Sequence, residues 1–168
     1  QRQMCIRDRS ITQAIGQGYA NVSKGVPMPS TMYYMDEDAW NYALDNTIVN
    51  YTYDLDKAKE YLAKSAYPDG TSVVLYTTST NKALAETVQY QLSQINVNVE
   101  INEMLQSESY EISYGYKLDD NGNRLYDIYL TGWLSDYLDP IGYLKPFWSS
   151  KSIYAGGANQ AVYSNPEV

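Results

Sequence analysis

The sequence predicts an α/β fold, and three adjoining stretches carry that prediction. SVVLYTTS, residues 72–79, is a β-branched run of strand length. ALAETVQYQLSQI, residues 83–95, places Leu84, Val88, Leu92 and Ile95 along one helical stripe. NVNVEINEM, residues 96–104, alternates so that Val97, Val99 and Ile101 share a face. Strand, helix and strand within roughly thirty residues make a βαβ unit, so the two strands should be parallel neighbours with a right-handed crossover.

The elements follow in chain order. Permitted codons for Gln1 to Asp8 include CAG CGT CAG ATG TGT ATA AGA GAC, which resembles a transposase adapter used to prepare sequencing libraries. Residues 1–9 are therefore expected to be a sequencing artefact and are set aside, which makes the chain a fragment whose reading frame began upstream. Residues 10–150 are expected to form an α/β lobe, and residues 151–168 a loop-rich, truncated tail. SITQAIGQGYANVSKG (10–25) predicts a helix that breaks near Gly16–Gly18 or Gly25, followed by a connector anchored by Pro27 and Pro29. YDLDKAKEYLAKSAYPDG (53–70) is the clearest helix: Asp54 is placed to cap it, and Leu55, Ala58, Leu62 and Ala66 share a face. Pro68, Asp69 and Gly70 then turn the chain.

After the βαβ unit, residues 107–117 predict a helix, DDNGN (119–123) a turn, and LYDIYLTGW (125–133) another strand. Pro140 starts a short helix or loop, and the tail from Ser149, with Gly156 and Gly157, predicts irregular structure.

Charge and composition exclude several functions. Setting aside residues 1–9 removes three arginines, one aspartate and the single cysteine, and moves the net charge from −8 to −10. The rest has no cysteine and no histidine, so thiolate and imidazole metal sites, Cys or His catalysis and disulfides are excluded. Arg124 is its only arginine, and so sparse a cation set argues against a nucleic-acid partner. No apolar run reaches the length that spans a bilayer. Nineteen tyrosines against one phenylalanine suit wet binding surfaces, and drift in genome composition explains the same count.

Two constellations invite chemistry. Aligning Gly122 with the sixth position of a calcium loop puts Lys117 at the first and Ile128 at the twelfth, so DDNGN is an Asn-Gly turn instead. WLSDYLDP (133–140) holds Asp136 and Asp139 beside two aromatics. They could serve as the carboxylate pair of a carbohydrate-active enzyme, or Asp136 caps a turn and Asp139–Pro140 starts one. Arg124 is expected to flank the turn and be solvated, and Trp40 and Trp148 to be buried packing anchors. Asn21 and Asn50 fit the short glycosylation-acceptor pattern.

Taken in order, Tyr53-Asp54-x-x-x-Ala58-Lys59-x-x-Leu62, Tyr67-Pro68-Asp69-Gly70, the helix ALAETVQYQLSQI running into Val97-x-Val99, Trp133-x-x-Asp136-Tyr137-x-Asp139-Pro140 and the closing YSNPEV resemble the extracytoplasmic solute-binding proteins of peptide and nickel ABC importers, family 5. The resemblance covers most of residues 50–168 and, more weakly, 10–49. It implies a type II periplasmic-binding-protein-like fold of two α/β lobes around a ligand cleft, with this chain forming part of the C-terminal lobe. It implies a peptide ligand, an ABC permease and ATPase as partners, no cofactor and no catalysis. The location implied is extracytoplasmic, periplasmic or lipid-anchored outside the cell membrane. It further implies that Asp136 holds the ligand's α-ammonium, that Trp133 lines the cleft, and that Leu134 and Ser135 offer backbone groups. A sugar or a metal chelate is the alternative ligand within the family. Leu55 stands where the family often has proline. Ala66 and Asn96 stand where it often has glycine, and a left-handed Ala66 would cost about 1 kcal/mol, whereas Asn tolerates that conformation.

Overall fold

A computed structural model of the chain describes Asp38, Tyr42, Asp45, Asn46, residues 53–114, 117–134, 136, 139 and 141–166. The adapter-like residues 1–9, the expected helix 10–25, most of the following connector, Trp40, both glycosylation patterns, Ser135 and Pro140 lie outside the described residues. The described chain divides into two compact units, one holding 53–109 and 125–131, the other 110–124 and 132–166.

The first unit begins with α1, Leu55–Ala63. Asp54 caps it as the sequence predicts: its Oδ1 accepts the Lys57 amide at 3.0 Å, supplying a partner the first helical turn lacks. Ala58 is buried, and Leu55 and Leu62 pack against the same core. Ala66 is exposed beyond the helix end, and among the described non-glycine residues only Asn96 and Val162 have positive φ. The cost anticipated for a left-handed Ala66 therefore does not arise.

Strand β1, Thr71–Thr78, helix α2, Lys82–Ser93, and strand β2, Val97–Met104, form the expected βαβ unit. The strands are parallel, with Thr71 opposite Val97 and Thr78 opposite Met104. Inward residues of the strands meet the apolar stripe of α2: Leu75 and Ala85 are fully buried, and Val73, Val88, Leu92, Val97 and Val99 nearly so. Gln89 ties the layers together by donating its Nε2 to the Val99 carbonyl at 2.7 Å. Both strands start from a tight crossing. Gly70 (φ +113°) and Asn96 (φ 60°) lie against each other, and the Thr71 amide donates to the Asn96 carbonyl at 3.2 Å.

Helix α3, Gln106–Ser113, ends four residues before the expected 117. The Lys117 amide returns to the Ile112 carbonyl at 3.3 Å, a six-residue closure that stops a helix. The strand expected over 125–133 is confined to β3, Ile128–Tyr129, which pairs parallel with β1 and gives the sheet order β2-β1-β3. Asp127 explains the short ladder. Its amide donates to the Val74 carbonyl and its carboxylate accepts the Val74 amide, both at 2.9 Å, so a side chain replaces a strand carbonyl.

In the second unit, Leu118 and Arg124 bridge across the Asn-Gly turn, where Gly122 takes φ +81°. Arg124 does flank the turn, but both terminal guanidinium nitrogens are buried, which corrects the expectation that it is solvated. Helix α4, Ile141–Trp148, follows the Asp-Pro pair. Trp148 is 44% exposed rather than buried, and meets Tyr163 edge-on at 5.2 Å. The expected loop after Ser149 holds a short 3-10 turn at Ser150–Ser152 and is organised by Asn159, which is 1% exposed. Asn159 donates to the Ser149 and Tyr163 carbonyls and accepts the Tyr163 amide.

Candidate functional site

The stretch from Trp133 to Asp139 leads into α4, and its two ends are both fastened to that helix. Pro146 sits inside α4 and has no N–H. The carbonyl four residues earlier, that of buried Gly142, therefore lacks its usual helical donor. The indole of Trp133 fills the position: Nε1–H donates to the Gly142 oxygen at 3.2 Å. The same ring meets Phe147 edge to face, with centroids 4.9 Å apart and planes at 79°, a favoured aromatic geometry.

At the other end, Asp139 caps the helix. Its Oδ1 accepts the Ile141 amide at 2.8 Å and its carbonyl accepts the Gly142 amide at 2.9 Å. This role suits a carboxylate at a helix N-terminus, where the backbone dipole is positive. It also separates the two acids of the stretch, because Asp139 spends an oxygen on structure.

Asp136 lies between these fixed ends and is exposed. Among the described residues, none hydrogen-bonds or ion-pairs with its carboxylate. Leu134 is 90% exposed, the most exposed of the large apolar side chains described. Of the four residues the sequence singles out, three are therefore placed on one short segment: a half-buried ring that anchors, a projecting Leu134 and an exposed acid. Ser135 lies outside the described residues. Gly142, Pro146 and Phe147 escaped the sequence reading. The signal was present, since a proline inside a helix always frees the carbonyl four residues before it.

Among the described residues no cluster of three acidic, histidine or cysteine side chains could hold a metal ion, and no helix is long and apolar enough to cross a membrane. Asp119 is engaged locally. Amide donation from Asn123 (2.7 Å) and Asn121 (2.9 Å) holds its carboxyl below the ordinary range, the Asn123 amide contributing most.

Residues 3–155 match the family model described as bacterial extracellular solute-binding proteins, family 5 Middle. The chain belongs to this family. Among relatives of family 5, the glutathione-binding protein GsiB of Salmonella paratyphi A is 28% identical over 166 residues, covering 97% of this chain and 30% of that protein. A structure of the periplasmic binding protein DppA from Helicobacter pylori, in complex with the peptide STSA, is 28% identical with a TM-score of 0.74. It covers 99% of this chain and 30% of that one. A dipeptide-binding protein from Pseudoalteromonas sp. SM9913, in complex with Met-Leu, has the same fold at 23% identity and a TM-score of 0.77, covering 99% of this chain and 31% of that one. The chain thus has the α/β fold of type II periplasmic binding proteins and spans about 30% of the length of the family 5 relatives it matches.

Proposed function

We propose that the chain is part of the ligand-capturing component of an ABC importer, and that it binds a peptide outside the cytoplasm through Asp136. The observation that carries this reading is the state of Asp136. Its exposed carboxylate has no partner among the described residues, yet it sits on a segment fastened at Trp133 and at Asp139. A fixed, unpaired acid is suited to an α-ammonium group, and a charge that becomes enclosed by ligand closure must be paired.

The relatives support this chemistry. One neighbour's structure holds the peptide STSA, and one relative is a glutathione-binding protein, glutathione being a tripeptide that carries an α-ammonium. In this reading Trp133 lines the site, and the backbone at Leu134 and Ser135 runs beside the ligand, accepting peptides of many sequences because main-chain bonds ignore side chains. Residues 10–150 act as one α/β lobe, residues 151–168 as its loop-rich tail, and residues 1–9 as an appendage of sequencing origin. An extracytoplasmic location, periplasmic or lipid-anchored, and delivery to a membrane permease and its ATPase follow from the same reading. The protein releases its ligand unchanged and needs no cofactor. The cap formed by Asp139 favours this over a carbohydrate-active enzyme, which would need both acids free for substrate.

The test is calorimetry on the full-length gene product with a free tripeptide and its N-acetylated form. Asp136→Ala should weaken the free peptide by about 2–5 kcal/mol and the acetylated one much less. Equal losses for both would remove Asp136 from the ammonium role. Tight binding of a sugar or a metal chelate with no response to peptides would replace the ligand class.

A further inference from the structure

The Asn-Gly turn of the second unit carries chemistry unrelated to ligand capture. Asn121–Gly122 is the one Asn-Gly pair of the chain, and both residues are exposed in the loop that Leu118 and Arg124 bridge. We propose that Asn121 is a site of spontaneous modification, converting to aspartate and isoaspartate at a rate set by Asp119. The inference is independent of which ligand the protein binds.

The step uses only the chain and water. The Gly122 amide nitrogen gives up its proton and attacks Asn121 Cγ, so that an N–C bond forms and closes a five-membered imide. The Cγ–Nδ2 bond breaks, and Nδ2 leaves with that proton as ammonia. Water then opens the imide. Cleavage of the new bond gives aspartate, and cleavage of the original peptide bond gives isoaspartate, with the chain continued through Cγ. Glycine favours the attack because no Cβ shields its nitrogen and its backbone turns freely. At Gly122 (φ +81°) an added Cβ would meet nothing within 4 Å, so the space for ring closure and for water is open. The other Asx-Gly pair of the chain, Asp69–Gly70, is shut, since the same added atom would stand 2.2 Å from the Asn96 carbonyl oxygen.

Asp119 restrains the reaction. Its carbonyl accepts the Gly122 amide at 3.0 Å, which occupies the attacking nitrogen. Its carboxylate accepts the Asn121 and Asn123 amides, and the side-chain amides of both asparagines add to this. All these bonds join groups within residues 119–123, at the surface, where each contributes little net and local opening costs least. Opening the turn therefore releases the nitrogen and the side chain together and disturbs no core residue. The product matters locally. It places a further carboxylate beside Asp119 and Asp120, and the isoaspartate form lengthens the backbone by one carbon between Leu118 and Arg124.

The experiment is a time course of peptide maps on the full-length protein at neutral pH, read by mass spectrometry, with isoaspartate detected by an isoaspartyl methyltransferase. The peptide holding Asn121 should gain one mass unit and split into two species. It should do so several-fold faster than the peptides holding Asn81 or Asn102, and at Asn121 rather than Asn123. Asn121→Gln should abolish the methyltransferase signal there, because the longer side chain closes a less favourable six-membered ring. Asp119→Ala should speed conversion at Asn121 several-fold and leave Asn81 and Asn102 at their former rates. An Asn121 that keeps its mass, or converts no faster than Asn123, would overturn the site. An unchanged rate in Asp119→Ala, or a rise shared equally by Asn81 and Asn102, would overturn the control by Asp119.

Discussion

Trp133 supplies the hydrogen bond that Pro146 denies to Gly142. The indole N–H reaches the Gly142 oxygen at 3.2 Å because no backbone N–H at position 146 competes for it. A proline that would ordinarily weaken a helix interior thus becomes the means of docking a ring from another part of the chain. That ring fixes one end of the segment carrying Asp136.

Trp133→Phe keeps an aromatic against Phe147 but leaves the buried Gly142 carbonyl without its donor. Urea unfolding should show a loss of about 1–3 kcal/mol. Pro146→Ala restores an amide four residues after Gly142, so in that background the same Trp133→Phe change should cost clearly less. Identical costs in the two backgrounds would show that the indole bond and the proline are unconnected.

Gly70 and Asn96 pose a sharper steric constraint. A Cβ on Gly70 would stand 2.2 Å from the Asn96 carbonyl oxygen, and φ is +113° there. Gly70→Ala should therefore cost well over the ~1 kcal/mol of an ordinary left-handed alanine, since backbone has to move as well. Asn96→Gly should be neutral or slightly stabilising, because it relaxes φ 60° without adding an atom. A Gly70→Ala chain that melts like the original would mean the crossing yields easily.

These residues also show how much of the molecule its sequence discloses. The βαβ unit was legible because local period decides it: alternation at Val97 and Val99, and the stripe through Val88 and Leu92. The cap at Asp54 and the left-handed Asn96 were legible because single side chains carry those roles. The length of β3 was not, since Asp127 ends the ladder through a residue more than fifty positions away, Val74. Nor was the order in the tail, where a buried asparagine among Gly and Ser looks like loop until its three partners are known. At the candidate site the sequence picked out Trp133 and Asp136 but missed Gly142, whose part depends on a missing N–H rather than on a side chain.

Asn159 tests the tail directly. Asn159→Ala would strand the Ser149 and Tyr163 carbonyls and the Tyr163 amide, groups it now satisfies at 2.8–3.1 Å. Loosening of residues 149–163 should separate Trp148 from Tyr163 and change the Trp148 fluorescence. It should also raise amide exchange there, while α2 and β1 keep their protection. Uniform loss of protection throughout would mean instead that the tail is part of one cooperative unit with the sheet.

Asp119 predicts a pH response with a definite sign. Donation from the Asn123 and Asn121 amides stabilises its charged form, so its folded pKa is depressed. The turn's contribution is therefore complete above the unfolded value, about 3.9, and is lost as the pH falls through the lower folded value. Its full exposure means that global stability changes little and the effect is local to residues 118–124. In an NMR titration the Asp119 carboxyl should show a midpoint below the ordinary carboxylate range, and the Asn121 and Asn123 amides should move with it. Asp119→Asn should abolish that coupled movement. A midpoint at or above the ordinary value would show that these amides do not hold the carboxylate in solution, and the turn would then rest on its backbone hydrogen bonds and the left-handed Gly122.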